Sequence, residues 1–361
     1  MTPFDHPAFD GHEGVHAFFD KPTGLTCIIA VHSTARGPAA GGCRMWSYRN
    51  AEAALEDALK LSRAMSYKNA MADIELGGGK AVIIGDSRTQ KSPALFEAFG
   101  RAVEAVGGRY WTAEDVGVSP GDLSHARKHT RYVAGLEGHP AASGDPSPVT
   151  AEGAFRGMRL AVRRALKRDL DGVTVAIQGV GNVGGYLADK LHAAGARLAI
   201  ADVNAEAAAA VAARTGAQVV APGAIFDVKA EVFAPCALGG AINAETLPRL
   251  QAKVIAGGAN NQIADAQIGR LVFGAGMLYA PDYVINGGGI INVAGEIRAL
   301  ARDEPFDPAW VEGKVQRMIA TLEEVFERSL AEHRPTNEVA DEIARARLAA
   351  AEAARGPAGP G

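Results

Sequence analysis

The stretch Gly179-Val180-Gly181-Asn182-Val183-Gly184 constrains the fold of this 361-residue chain more than any other. Its glycines have the spacing G-x-G-x-x-G, which on its own also fits plain turns. Here an apolar run, Thr174-Val175-Ala176-Ile177, leads into it, and an apolar helical stretch to about Ala194 leads out. Strand, glycine turn and helix in that order form a phosphate cradle. The first glycine closes the tight turn, the second lets backbone approach a pyrophosphate, and the third lets the helix pack on the strand. The helix start supplies N–H donors and a field that favours the anion. A second strand ends in Asp202, 18 residues beyond Gly184. A carboxylate there accepts hydrogen bonds from ribose hydroxyls and repels a 2′-phosphate, which favours NAD over NADP. Asp202 also fits a turn or a helix N-cap.

Strands expected at 173–178, 197–202, 218–220, 231–234, 254–256 and 283–285 alternate with helices. That alternation predicts a parallel, doubly wound α/β sheet in this half of the chain. The length suits two domains. The segment 138–148, GHPAASGDPSP, is the best boundary between them, with a long helix starting near Thr150. The expected domains are a substrate and assembly domain over 1–140 and a dinucleotide domain over 141–332. Long helices are predicted over 308–332 and about 336–353, before a tail at 356–361 expected to be disordered.

The 37 basic and 41 acidic residues leave a net charge of −4, so nothing points to nucleic acid or an anionic membrane. Cys27, Cys43 and Cys236 are scattered without metal-type spacing, so no metal is expected, and they fit a reduced cytoplasmic protein. No secretory signal and no apolar run of about 20 residues is seen.

In the front half, Leu76-Gly77-Gly78-Gly79-Lys80 separates two apolar runs, 72–76 and 81–85, read as two strands around a glycine run. A lysine moved into a partly desolvated site has its pKa lowered, which suits carbonyl and amine chemistry. Lys68 ends a helix that begins after Asn50, and Asp115 follows a short strand, 110–113. Two cations and a carboxylate suit an α-amino acid: one cation for its carboxylate, one to polarise the reacting centre, and an acid to move protons. Each residue also has an ordinary role available. Lys80 fits a solvated turn lysine, Lys68 a cation at a helix C-terminus, and Asp115 a turn residue.

Several blocks in combination resemble the glutamate/leucine/phenylalanine/valine dehydrogenase family. They are Leu76 to Ile84, Gly41-Gly42-Cys43-Arg44-Met45, Met65-Ser66-Tyr67-Lys68, Thr112-Ala113-Glu114-Asp115-Val116-Gly117, Gly144 to Thr150, Ala234 to Gly240, and Gly258-Ala259-Asn260-Asn261-Gln262. The resemblance runs from about residue 25 to 345 and is nearest the leucine and valine branch. It implies reversible oxidative deamination of an L-amino acid to a 2-oxo acid and ammonia, with NAD taking the hydride. It also implies a homo-oligomer, a substrate domain to which the C-terminal segment 333–361 returns, and a closable cleft between the domains.

By resemblance, Lys80 has a lowered pKa and polarises the carbonyl, Asp115 shuttles protons and Lys68 holds the substrate carboxylate. Gly41, Gly42, Met65, Ala40, Ala113, Asn261 and Val293 complete the expected substrate set. Val180, Asn182, Val183, Val203, Thr150, Cys236, Ala237 and Asn260 join Gly179, Gly181, Gly184 and Asp202 around the cofactor. Cys236 fits a small packing residue better than a reactive thiol. Glutamate-specific relatives carry a lysine where this chain has Ala40 and a serine where it has Val293, so a γ-carboxylate would be buried unpaired, at a cost of several kcal/mol. By resemblance, Ala113 and Val293 match the leucine/valine type, whereas Ala40 opens space as some phenylalanine enzymes do; leucine, valine or isoleucine is expected, with phenylalanine second, since one methylene changes discrimination by only about 1 to 3 kcal/mol. A non-catalytic NAD-binding regulator is the reading from another class; such a chain would be expected to lack Lys80 or Asp115.

Overall fold

A computed structural model describes residues 2–355. The chain forms two compact units. Unit 1 holds the residues up to Gly144, Ile291–Val311 and those from Ala344 on; unit 2 holds Asp145–Ile290 and Glu312–Ile343.

The elements of unit 1 are β1 (Gly14–Asp20), β2 (Leu25–Ser33), β3 (Ala39–Trp46), α1 (Ala51–Met71), β4 (Gly77–Ile84), α2 (Pro93–Ala105), β5 (Tyr110–Glu114) and α3 (Pro120–Arg127). Its sheet has the order β1-β2-β4-β3-β5, antiparallel for β1, β2 and β4 and parallel from β4 through β3 to β5. The helix starts follow from local chemistry. The Asn50 side chain accepts the Ala53 N–H at 2.9 Å, and Ser92, ahead of Pro93, accepts that of Leu95 at 3.1 Å.

The three glycines 77–79 are not a turn between two strands, as the sequence reading has it. They belong to β4 and are buried in the middle of the sheet. Close packing is the reason: a Cβ on Gly78 would lie 2.1 Å from the Ser66 amide nitrogen, so only glycine lets α1 lie directly on the strand.

Unit 2 begins with α4 (Ser147–Leu166), β6 (Thr174–Gln178), α5 (Asn182–Ala193), β7 (Arg197–Ala201), α6 (Ala205–Thr215), β8 (Gln218–Val219), β9 (Val232–Pro235) and β10 (Val254–Ile255). It continues with α7 (Ala266–Gly274), β11 (Leu278–Tyr279) and α8 (Asp282–Ile285). The six parallel strands run β11-β10-β9-β6-β7-β8. Strand order reverses at β6, the strand that feeds the glycine fingerprint. In a doubly wound sheet that reversal opens the crevice where nucleotides bind. Phe226, Phe233, Ile255, Ile268, Val272 and Tyr279 build a core on one face. The strand expected over 283–285 lies in α8 instead; after Pro281, the N–H of Ile285 turns back to the Pro281 carbonyl at 3.0 Å.

The chain closes with α9 (Gly288–Arg302), α10 (Pro308–Glu332) and α11 (Thr336–Arg355). The divisions fall at 144/145, 290/291, 311/312 and 343/344, where the sequence reading has 140/141 and 332/333. The cause is a buried carboxylate. Glu296 of α9, fully shielded from solvent, accepts the N–H groups of Gly135 (2.8 Å), Leu136 (3.0 Å) and Ser143 (3.1 Å) and the Ser143 hydroxyl (2.8 Å). The Phe306 N–H adds a bond to the Pro140 carbonyl at 3.1 Å, so 291–311 is fastened to unit 1. The end of α11 belongs to unit 1, with Arg345 and Arg347 donating to the Tyr67 hydroxyl and the Ala70 carbonyl, both at 3.1 Å. Its first turn stays in unit 2, where the Thr336 hydroxyl donates to the Tyr279 carbonyl at 2.7 Å. The tail 356–361 lies outside the described residues. No helix among the described residues is long and apolar enough to cross a membrane.

Candidate active site

In unit 1 the parallel strands β3, β4 and β5 bring the expected residues to one place. The register sets Ala40 beside Gly78 and Trp111, Gly41 beside Thr112 and Gly42 beside Ala113. Asp115 is the first residue after β5. Lys80, 5% exposed, sits in the central strand, and its Nζ lies 2.5 Å from Asp115 Oδ2. An ammonium and a carboxylate this far out of water stay only because they pair. Burial would raise the Asp115 carboxyl pKa, but the Lys80 ammonium and the Arg44 guanidinium outweigh it and hold the group below the ordinary value. Asp115 is therefore ionised at neutral pH and able to accept a proton.

Gly42 makes this approach possible, since a Cβ on it would lie 2.8 Å from the Asp115 Cβ and 2.4 Å from the Glu114 carbonyl. The buried Tyr110 hydroxyl donates to the Gly41 carbonyl at 2.6 Å and fixes the glycine pair. Met65 and Lys68, three apart on α1, share a helix face, and both are half-buried. Ala40 and Ala113 are buried, 1% and 7% exposed, and Val293 on α9 is half-buried. Arg44 is the residue that the sequence reading leaves without a role. Its Nε donates to the same Asp115 Oδ2 at 3.1 Å. The signal was its place in the quoted block 41–45.

Unit 2 assembles the fingerprint. Gly179 has φ +91°, and its N–H bonds the Ala201 carbonyl at 2.7 Å, tying the turn to the end of β7. The Val180 N–H donates to Asp202 Oδ2 at 2.7 Å, and the Asn204 N–H to Oδ1 at 2.8 Å. Asp202 thus does hold a turn, and it does so at the edge of the cradle. A Cβ on Gly184 would lie 2.0 Å from the Gly179 carbonyl, so the third glycine sets the helix against the turn. Gly181 caps α5, with Asn182 and Val183 in its first turn, and a Cβ there would meet nothing within 4 Å. The turn leaves open backbone at a helix start, where N–H donors and the helix field favour an anion. Val203, 93% exposed, follows Asp202.

Cys236 and Ala237 come off β9 beside the cradle, Ala237 touching the position that a Cβ on Gly179 would take. Burial pushes the Cys236 thiol up to about 11 against the opposing Gly258 N–H, which donates to its sulfur at 3.3 Å. It is a neutral packing group at neutral pH. Asn260 Oδ1 accepts from Asn286 Nδ2 at 2.8 Å, and Asn261 takes the left-handed conformation at φ +51°. The Thr150 hydroxyl bonds the Pro146 carbonyl at 3.0 Å within α4. Asn261 and Thr150 belong to unit 2, whereas Lys68, Lys80, Asp115 and Val293 belong to unit 1.

Comparison with known proteins matches both units to one family. Residues 15–132 match the family described as Glu/Leu/Phe/Val dehydrogenase, dimerisation domain, and residues 146–219 and 200–356 match Glutamate/Leucine/Phenylalanine/Valine dehydrogenase. A leucine dehydrogenase of Geobacillus stearothermophilus is 47% identical over 94% of this chain and 91% of its own. A phenylalanine dehydrogenase of Bacillus thermotolerans is 41% identical over 94% and 89%. The crystal structure of L-tryptophan dehydrogenase from Nostoc punctiforme superposes with a TM-score of 0.83 at 40% identity, covering 95% of this chain and 97% of that one. With family matches over both units and relatives at 41–47% identity, the chain belongs to the glutamate/leucine/phenylalanine/valine dehydrogenase family and is an amino acid dehydrogenase.

Proposed function

We propose that the protein catalyses the reversible reaction of a branched-chain L-amino acid, NAD and water to the 2-oxo acid, ammonia, NADH and a proton. The observation that carries the reading is the contact of the buried Lys80 with the half-buried Asp115, flanked by glycines. The nicotinamide, when bound, accepts the hydride from the substrate α-carbon. Lys68 holds the substrate carboxylate, and Lys80 stabilises charge on the oxygen that forms as water attacks the imine. Asp115 takes the proton from that water and passes it to the leaving nitrogen.

Asp202, at the end of β7 with both carboxylate oxygens turned to the cradle loops, supports NAD over NADP. Ala40, Ala113 and Val293 supply apolar contact for an aliphatic side chain and no partner for a γ-carboxylate. The leucine dehydrogenases at 45–47% identity, against 41–43% for the phenylalanine enzymes, support the same preference. The reading includes a homo-oligomer in the cytoplasm, which the dimerisation-domain match supports for the assembly. The test is an initial-rate panel over L-amino acids with NAD and NADP side by side. A higher kcat/KM for phenylalanine than for leucine would overturn the substrate preference, and equal use of NADP would overturn the role of Asp202.

A further inference from the structure

The Lys80–Asp115 pair does not stand alone. Arg44 bonds Asp115 Oδ2 through Nε at 3.1 Å, and its Nη1 reaches Asp57 Oδ2 of α1 at 3.0 Å. The Tyr48 hydroxyl donates to that same Asp57 oxygen at 2.6 Å. The four charges Lys80, Asp115, Arg44 and Asp57 cancel, so the cluster can be half-buried without a net charge. A guanidinium held at two edges is fixed in plane, which an ammonium in its place would not be.

We propose that Arg44 is a positioning residue for Asp115: anchored on Asp57 and Tyr48, it holds the carboxylate in the orientation that Lys80 shares before substrate arrives. The inference rests on the reading that Asp115 moves protons. Two charge-assisted bonds converge on one oxygen, so the carboxylate cannot turn away from Lys80 without breaking the Arg44 bond. Preset alignment of this kind matters because a displacement of about 1 Å at a reacting group costs about 100-fold in rate.

The Cys43 thiol and the Tyr48 and Tyr110 phenols, whose titration Asp115 also influences, are raised by burial and uncharged at neutral pH. The charged side chains that hold Asp115 low are Lys80 first and then Arg44. Without Arg44 the carboxylate protonates more easily, so the acidic limb of the rate profile moves to higher pH.

The test compares wild type, Arg44→Met, Arg44→Lys, Asp57→Asn and Asp115→Asn for kcat, KM and the pH dependence of kcat/KM. Arg44→Met is expected to lose about 100-fold in kcat with little change in KM, and to shift the acidic limb upward. Arg44→Lys, keeping the charge but not both bonds, is expected to lose rate with a smaller shift. Should Arg44→Met not fold, Arg44→Lys and Asp57→Asn carry the comparison, both with reduced kcat. If the Arg44 and Asp57 variants keep the wild-type limb and kcat and lose only thermal stability while Asp115→Asn is inactive, the positioning role is overturned and the reading of Asp115 stands. If Asp115→Asn turns over like wild type, that reading falls, and this inference with it.

Discussion

In unit 1 the glycines of β3 and β4 make room for protein, whereas Gly181 of the fingerprint in unit 2 borders open space. A Cβ on Gly42 or Gly78 would strike Asp115 or the Ser66 backbone; one on Gly181 would meet nothing within 4 Å. Around the first pair the groups drawn together are side chains, Lys80, Asp115 and Arg44, at 2.5 and 3.1 Å. Around the second they are backbone, with amide donors at a helix start and a carboxylate steadying the turn. The difference teaches that glycines in similar runs can be fixed by close packing, as in β3 and β4, or leave the backbone open, as at Gly181.

The comparison can be broken most forcefully at Lys80. Lys80→Ala should lose about 10,000-fold in kcat, the upper range for a group that moves or stabilises protons. NADH affinity, measured by fluorescence titration, should stay close to wild type. Loss of NADH binding would mean that the division of labour between the units is wrong. Next is Gly42→Ala, which forces β3 away from the Asp115 loop. It should cost about 2 to 3 kcal/mol in stability and lower kcat, again with NADH affinity intact.

A smaller effect sharpens the contrast from the other side of β4. His32 and His12 are buried, with ring centres 4.9 Å apart, and His32 bonds the Ser66 hydroxyl at 2.7 Å. Burial, with the neighbouring His12, lowers His32 from its ordinary 6.5 to about 4. The unfolded chain therefore binds a proton that the folded chain refuses between these values. Stability is full above pH 6.5 and is lost as pH falls toward 4, by about 2 kcal/mol at pH 5. Trp46, Trp111 and Trp310, the three tryptophans, all belong to unit 1, so their fluorescence during chemical denaturation reports that unit. Equal stability at pH 6.5 and 5 would refute the prediction. Smallest is Gly181→Ala, which should leave the melting temperature unchanged and weaken NADH about tenfold, a loss of about 1.4 kcal/mol. A fall in melting temperature with affinity unchanged would erase the contrast between the two kinds of glycine.

Elements governed by local chemistry were legible in the sequence. Asn50, Ser92 and Pro93 marked helix starts, α10 spans the predicted 308–332, and the strand–glycine–helix order around Gly179 gave the doubly wound sheet. What escaped depends on atoms distant in the chain. Gly77 to Gly79 read as a turn because nothing local says that α1 will press on them. Glu296 lies about 150 residues from the loop it secures, so the grouping of 291–311 with unit 1 could not be read from composition. Lys80 and Asp115 were singled out by residue type and then by the resemblance of their blocks to a family, but their contact could not be read from spacing. Arg44 lay in one of those blocks without a role until its two bonds were seen.

The most direct test of the account is product stoichiometry. Wild-type protein given L-leucine and NAD at alkaline pH should form NADH, ammonia and the 2-oxo acid in equal amounts, and the Lys80→Ala variant should form none of them. NADH appearing without ammonia, or no NADH from any L-amino acid, would contradict it.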